Sequence, residues 1–379
     1  MAEATAALDP VAAAASPPVD SGRRRYILIL LMLAYVLSFL DRQVLSILVE
    51  PIKADLHLKD ADIGILTGPV FVIFYTFLGV PIAWAADRAS RPAIIAVSLA
   101  LWSGFTALSG FATGFVTLGL ARLGVGFGEA GCNPSSHSLI ADISRPEQRA
   151  SGLAFYSMGV PIGTLIGLAM GGLIADAFGW RAAFMAAAAP GLLLSLVIAL
   201  TVREPRGETG APVSLTAMLT PLKDMAEVLK ALSHKRTFWL MATASGASAF
   251  VGYSELYFNA SFFLRCHTAE LASIAAGFGL KSKGFLGLAL GAVSGLGGLT
   301  GTLIGGWVAD RGAAGDRRLF GSVPAIVTLA SAPLIFVIFT VKSAPLAIAL
   351  LLLNNVVFTI WYGSVYSTAQ SVVAPRHRA

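Results

Sequence analysis

The chain has 379 residues, of which 56% are hydrophobic and only 13% charged, with a formal net charge of +6. Soluble domains carry about 25% charged residues, so this composition argues against a soluble enzyme, a disordered chain or a nucleic-acid-binding protein. Two cysteines, Cys132 and Cys266, are too few for a disulfide framework or a four-ligand zinc site.

A membrane-crossing helix needs about 20 mostly apolar residues. In chain order, residues 1–25 read as a disordered cytoplasmic N-terminus, and no cleavable signal is expected because the first apolar run, behind Arg23, Arg24 and Arg25, is long enough to span. Ten spans are predicted over 26–47, 63–86, 93–113, 115–140, 151–175, 181–202, 237–263, 285–309, 320–340 and 345–368. They divide into a six-helix bundle (26–202), a cytoplasmic linker (203–236) with an amphipathic piece around Leu215–Leu232, and an incomplete second bundle of about four helices (237–379). With the N-terminus in the cytoplasm, 18 of the 27 Lys and Arg fall on that side and seven on the other, and Arg42 and Arg122 lie within spans. That bias supports the orientation, and the plasma (inner) membrane is the expected location.

The halves echo each other. Ala86-Asp87-Arg88-Ala89-Ser90-Arg91 follows the second span, and Gly306-Trp307-Val308-Ala309-Asp310-Arg311-Gly312 follows the eighth. Such a repeat is expected of a transporter built from two six-helix halves. By this symmetry an eleventh and a twelfth helix, about 50–70 residues, are expected after Ala379.

Ala83–Arg91 resembles signature A of the major facilitator superfamily at Asp87, Arg88 and Arg91, and Gly306–Gly312 is a closer copy. Leu120-Ala121-Arg122-Leu123-Gly124-Val125-Gly126-Phe127-Gly128 resembles its signature B. Within the superfamily the chain is similar to the spinster group at Ser38–Gln43, Glu50–Leu56, Gly128–Pro134 and Gly179–Phe184, a likeness strongest over about 25–200. The resemblance implies an all-α membrane fold of two six-helix bundles related by a pseudo-two-fold axis. It also implies proton-coupled movement of lysolipid-like or sphingolipid-like amphiphiles.

Ionisable residues inside a span are costly and mark function by default. Asp41 lies 16 residues beyond Arg25, about 24 Å along the helix. Arg122 lies about 20 Å from the cytoplasmic face of a core about 30 Å thick, so the two sit at similar depth. Glu129, nearly two turns after Arg122, shares its face. Asp41 and Glu129 therefore read as proton carriers and Arg122 as a cation that pairs with either; the competing reading is a fixed charge network joining two helices. Arg42, about 100° around the helix from Asp41, is a candidate for an anionic headgroup. Glu255, Tyr75 and Asn355 are further substrate-binding candidates, though Glu255 also fits a hydrated helix end and Asn355 a helix–helix hydrogen bond. His137 reads as a proton relay or a hydrated helix-end histidine.

The resemblance makes Asp87, Arg88, Arg91, Arg145, Arg149, Asp310 and Arg311 a cytoplasmic gate, with Asp87 meeting the eleventh helix. There is no Walker A, His-Glu-x-x-His, Gly-x-Ser-x-Gly or Cys-x-x-Cys motif. The expectation is accordingly a transporter and not an enzyme. It needs no metal or cofactor, its partners are protons, an amphiphilic substrate and the bilayer, with no nucleic acid, and it acts as a monomer. The alternative is a proton-coupled exporter of small organic anions or drugs.

Overall fold

The structure is a computed structural model that describes residues 20–86, 88–206, 233, 236–314 and 319–361. All regular elements among the described residues are helices. In the N-terminal half these are α1 (Ser21–Ile47), α2 (Val49–Leu56), α3 (Asp60–Thr67), α4 (Pro69–Ala86), α5 (Arg91–Ser109), α6 (Phe115–Glu129), α7 (Cys132–Ile143), α8 (Pro146–Ser157), α9 (Gly159–Phe178) and α10 (Trp180–Thr201). The C-terminal half holds α11 (Arg236–Cys266), α12 (Thr268–Gly277), α13 (Ser282–Ala314), α14 (Leu319–Thr340) and α15 (Ala344–Thr359).

Prolines explain why several rods are broken. A proline has no N–H for the carbonyl four residues back. Pro51, Pro134 and Pro161 each follow an interruption by three or four residues: at Leu48, at Ala130–Gly131 and at Met158. The first, fourth and fifth rods are therefore α1–α2, α6–α7 and α8–α9, and the second, α3–α4, breaks at Gly68 before Pro69.

Among the described residues, seven stretches are long and apolar enough to cross a membrane: Ser21–Ile47, Asp60–Gly79, Arg91–Ser109, Glu147–Phe178, Trp180–Thr201, Ser282–Val308 and Ser322–Thr340. The other three expected spans are helical as well. The fourth is split into α6 and α7, α11 carries Glu255 and has Arg265 in its last turn, and α15 ends at Thr359. Large apolar side chains point outward along these rods, with Phe77 70%, Leu200 75% and Leu329 74% exposed. Water would not tolerate such a surface, but lipid does.

The first helix starts at Ser21, inside the segment expected to be disordered, because the Asp20 side chain caps the amides of Gly22 and Arg23 at 3.1 and 3.4 Å. The amphipathic piece at 215–232 lies outside the described residues.

In the first bundle α1 packs on α9, and α5 packs on α6 and α10; in the second α15 packs on α13 and α14. Across the bundles α9 meets α13 and α1 meets α11. The far end, opposite the N-terminus, holds a core common to both halves, in which Val44, Ile47 and Leu168 join Phe263, Leu286 and Leu290. The core at the near end, around Ile27, Leu31, Ile95, Trp102 and Ile140, is drawn from the first bundle. The bundles are thus fastened at the far end.

Close approach depends on glycine, as two of the helix contacts illustrate. A Cβ on Gly163 would meet Phe39 Cβ at 2.9 Å and the Val36 carbonyl. One on Gly287 would strike the Leu168 backbone between the bundles. Small residues permit this packing in lipid. Gly163→Leu is expected to lower the detergent-solubilised melting temperature, as overpacking costs about 1–3 kcal/mol; an unchanged melting curve would show that α1 and α9 can separate freely.

Candidate functional site

Asp41 and Arg42 lie late in α1, Thr106 in α5, and Arg122 and Glu129 in α6. All four charged side chains are buried: Asp41 3%, Arg42 6%, Arg122 0% and Glu129 2% exposed. They form two ion pairs. Arg122 Nη1 reaches Asp41 Oδ2 at 3.4 Å, and Thr106 Oγ1 donates to Asp41 Oδ1 at 2.6 Å. Arg42 Nε donates to Glu129 Oε2 at 2.9 Å, Arg42 Nη2 donates to the same oxygen, and Ser38 Oγ adds a third bond at 3.1 Å.

Equal depth and a shared face had pointed to one arginine serving both carboxylates. The folded chain gives each carboxylate its own arginine. The Arg42–Glu129 pair was missed because it depends on how α1 is rotated against α6, which a single helix does not reveal.

The pairing is incomplete in an informative way. Glu129 Oε2 takes three donors, while Oε1 is buried without a partner. Arg122 uses Nη1, and its buried Nε and Nη2 have no partner either. The site can still accept a proton or donor at Glu129 and an acceptor at Arg122. Aromatic rings line the rest: the Arg42 guanidinium carbon lies 5.3 Å from the Phe39 centroid, 4.8 Å from Phe71 and 5.1 Å from Tyr75, and Arg122 lies 5.3 Å from Phe71. Tyr257 on α11, itself buried, lies within electrostatic reach of Arg42, Arg122 and Glu129. The cluster therefore sits beside the contact between the bundles.

The other candidates are distributed. Tyr75 joins the cluster, and its hydroxyl accepts a bond from Asn133 Nδ2 at 3.0 Å. Glu255 is half-buried on α11 with Oε1 lacking a partner, and it faces about 200° away from Tyr257. Asn355 packs against α13, where a Cβ on Gly297 would meet its own Cβ at 3.0 Å; neighbouring Asn354 accepts a 2.5 Å bond from Ser331. His137 is exposed at the near end with its ring edge-on to Tyr156.

Of the expected gate, Asp87 lies outside the described residues. Arg88 is exposed, Arg145 is exposed at the N-cap of α8, and Arg149 donates to the Ala141 carbonyl at 3.0 Å. Asp310 and Arg311 fall in the last turns of α13, with side chains outside the described residues. Arg91 is wholly buried and pairs with Glu204 and, at 2.7 Å, with Asp142, while Nη1 donates to the Ser138 carbonyl at 2.9 Å. It ties the start of α5 to the ends of α7 and α10. Burial pushes the Glu204 carboxyl up, but the bonds and charge of Arg91 outweigh it and hold it below its ordinary value. Glu204 escaped notice because, after the sixth span, it reads as an ordinary loop charge.

A second unforeseen cluster closes the far end. Arg265, at the end of α11, reaches Glu50 at 2.5 Å and Asp60 at 2.6 Å, and Lys53 also pairs with Asp60. Nearby, Lys283 pairs with Asp176 at 3.0 Å, and the Gly284 amide donates to Asp176 at 2.6 Å. The contacts of Arg265, Lys283 and Gly284 join opposite bundles. The bonds from Arg265 and Lys53 hold the Asp60 carboxyl below its ordinary value of 3.8.

A helical membrane bundle in two halves, with buried charge pairs beside their contact and ion pairs across one end, has the build of a membrane transporter. The chain belongs to the Major Facilitator Superfamily, whose family model matches residues 31–379. It is 32% identical over 349 residues to an MFS-type efflux pump of Mycolicibacterium smegmatis, covering 92% of this chain and 77% of that protein. It is 28% identical over 243 residues to protein spinster homolog 1 of Xenopus tropicalis, covering 62% of this chain and 46% of the relative, so the match spans about half of that protein. Among solved structures it superposes with a TM-score of 0.78 and 30% identity on a bacterial homolog to the human lysosomal transporter spinster in an inward-facing, unoccupied conformation, covering 95% of this chain and 78% of the other.

Exposed ion pairs contribute about 0.2–1 kcal/mol each. Arg265→Ala is therefore expected to raise far-end opening about five-fold, that is by about 1 kcal/mol. The readout is labelling of Ala260→Cys in a background lacking Cys132 and Cys266. Because the folded Asp60 value is depressed, its stabilisation is fully present above 3.8 and is lost only as pH falls below it. The five-fold ratio of Arg265→Ala to parent, each normalised to its unfolded chain labelled at the same pH, should therefore be the same at pH 5 as at pH 7.

Proposed function

We propose that this transporter works by proton-coupled alternating access and moves an amphiphile of lysolipid or sphingolipid type. The observation that carries the reading is the buried site of two arginines and two carboxylates beside the bundle contact, with Glu129 Oε1 and two Arg122 nitrogens still unpartnered. As drawn, the four charges cancel. A proton arriving on Asp41 or Glu129 leaves one arginine without its counter-charge in a medium of low dielectric. Three events relieve that excess: an anionic group binding at Arg122, re-pairing of the arginines, or opening to water. Each links proton occupancy to substrate or to the exposed face, which is what coupling requires.

Support for the amphiphile comes from the likeness to spinster homologs and from the aromatic wall of Phe39, Phe71 and Tyr75; an open apolar groove of about 300 Å³ also runs between α12, α13 and α15. We take the near end as cytoplasmic from the charge bias, so a far end fastened by ion pairs corresponds to access from the cytoplasm. Arg88, Arg91, Arg145, Arg149, Asp310 and Arg311 then belong to the cytoplasmic side that closes in the opposite state. The protein is read as a monomer in the plasma membrane. A second reading, export of small organic anions or drugs, is favoured by the likeness to the M. smegmatis efflux pump and by the free donors of Arg122.

The test is gradient-driven uptake of a fluorescent lysolipid into liposomes by the full-length protein. Wild type should respond to the proton gradient, and Asp41→Asn and Glu129→Gln should each lose at least about ten-fold of that response, equivalent to about 1.4 kcal/mol. Folded wild type that moves no lysolipid would transfer the case to small anions. Variants that respond like wild type would make the two pairs structural.

A further inference from the structure

A polar chain on the near side of the charge cluster joins it at Tyr75, and its other members, Asn133 and Tyr156, have no part in the function proposed above. The Asn133 amide is fixed from both directions: Nδ2 donates to the Tyr75 hydroxyl at 3.0 Å, and Oδ1 accepts from the Tyr156 hydroxyl at 2.5 Å. Tyr156 is fully buried and stacks on Tyr35 at 4.4 Å with 7° between the planes. Tyr35 meets Phe39 edge-on at 5.1 Å. Phe39 and Tyr75 both flank the Arg42 guanidinium, at 5.3 and 5.1 Å, and Phe71 stacks on Tyr75 at 5.6 Å. The contacts form a circuit through α1, α4, α7 and α8 that is closed by Arg42, between Phe39 and Tyr75.

The circuit has a mechanical meaning. A cation over a ring gains most when the ring is held in place, and the half-buried Tyr75 ring is held at its hydroxyl by Asn133. Arg42 in turn supplies two of the three bonds on Glu129 Oε2. We propose that Asn133 and Tyr156 are positioning residues: acting through the Tyr75 ring, they hold Arg42 on Glu129 and so set how readily Glu129 takes a proton. This rests on the reading of Glu129 as a proton carrier.

The groups facing Glu129 and Arg42 are Asp41 on α1, Arg122 on α6, Cys132 on α7, Tyr75 on α4, and Tyr253 and Tyr257 on α11. Removing a hydroxyl from Tyr75 or Tyr156 changes no formal charge among them at neutral pH. A change in Glu129 protonation would then come from the position of Arg42. A cation held less closely favours the carboxylate less, so protonation moves to higher pH.

The experiment is an infrared titration of the carboxyl band in the full-length protein in liposomes, with Glu129→Gln to assign the band. Tyr75→Phe and Tyr156→Phe keep both rings and each removes one of the two bonds that fix Asn133, Tyr156→Phe also giving up a bond to Ser136. Each should raise the Glu129 midpoint by about half a pH unit, a three-fold change in proton affinity. The double variant should shift it no further than the larger single one, because the two bonds act in series. Asn133→Leu cuts both bonds at once and serves where a phenylalanine variant melts early. An unmoved midpoint in well-folded variants, or a Glu129 band that never titrates, overturns the proposal. If the midpoint moves while lysolipid uptake ignores the proton gradient, the positioning role stands and the proton-coupling reading falls. A gradient-driven wild type with an unmoved midpoint gives the converse.

Discussion

A charge left bare in hydrocarbon costs several kcal/mol, and the N-terminal bundle is arranged around avoiding that cost. Asp41, Arg42, Arg122 and Glu129 come from two helices, and each must find its partner at the same depth. Thr106 and Ser38 complete two carboxylate oxygens, which brings α5 into register with α1 and α6. The rings of Phe39, Phe71 and Tyr75 then close over the guanidinium groups. Helix rotation, helix depth and the aromatic lining all follow from the same need. The site is close to neutral as a whole yet not fully bonded, so it is stable and still able to respond.

The two ends of the molecule are held by different forces. At the far end a core common to both bundles is reinforced by an exposed ion-pair cluster around Arg265 and a half-buried pair through Lys283. Such pairs are individually weak, so they can bias a closed state without making it permanent. At the near end Arg91 is wholly buried against Glu204 and Asp142, with both partners inside its own bundle. Losing one member of a buried pair is costly, which suits a group that keeps one bundle rigid. Rigid halves joined by reversible contacts are what a rocking mechanism needs.

Much of this was legible in the linear chain. Ten apolar runs at the length of a bilayer, the split into six helices and a second set, and the repeat of Ala-Asp-Arg after the second and eighth spans led to the fold. Depth arithmetic brought Asp41 to the level of Arg122, and the structure puts them 3.4 Å apart. The Arg42–Glu129 pair, the Tyr75–Asn133–Tyr156 chain, the Arg91–Glu204 anchor and the Arg265 cluster were not visible. Their members lie 87, 58, 23, 113 and as many as 215 residues apart.

The reason is the range over which each kind of information acts. Hydrophobic run length, proline breaks and distance along a helix are local quantities, since every residue adds about 1.5 Å and about 100°. The sequence by itself therefore determined which apolar rods to expect and that Asp41 and Arg122 lie at one depth, while the breaks within the rods emerged from the folded chain. Rotation of one helix against another and the choice of bundle contact depend on packing among residues far apart in the chain. Only the tertiary structure decided that Arg42 turns to Glu129, that Arg91 faces inward, and that Arg265 closes the end away from the N-terminus.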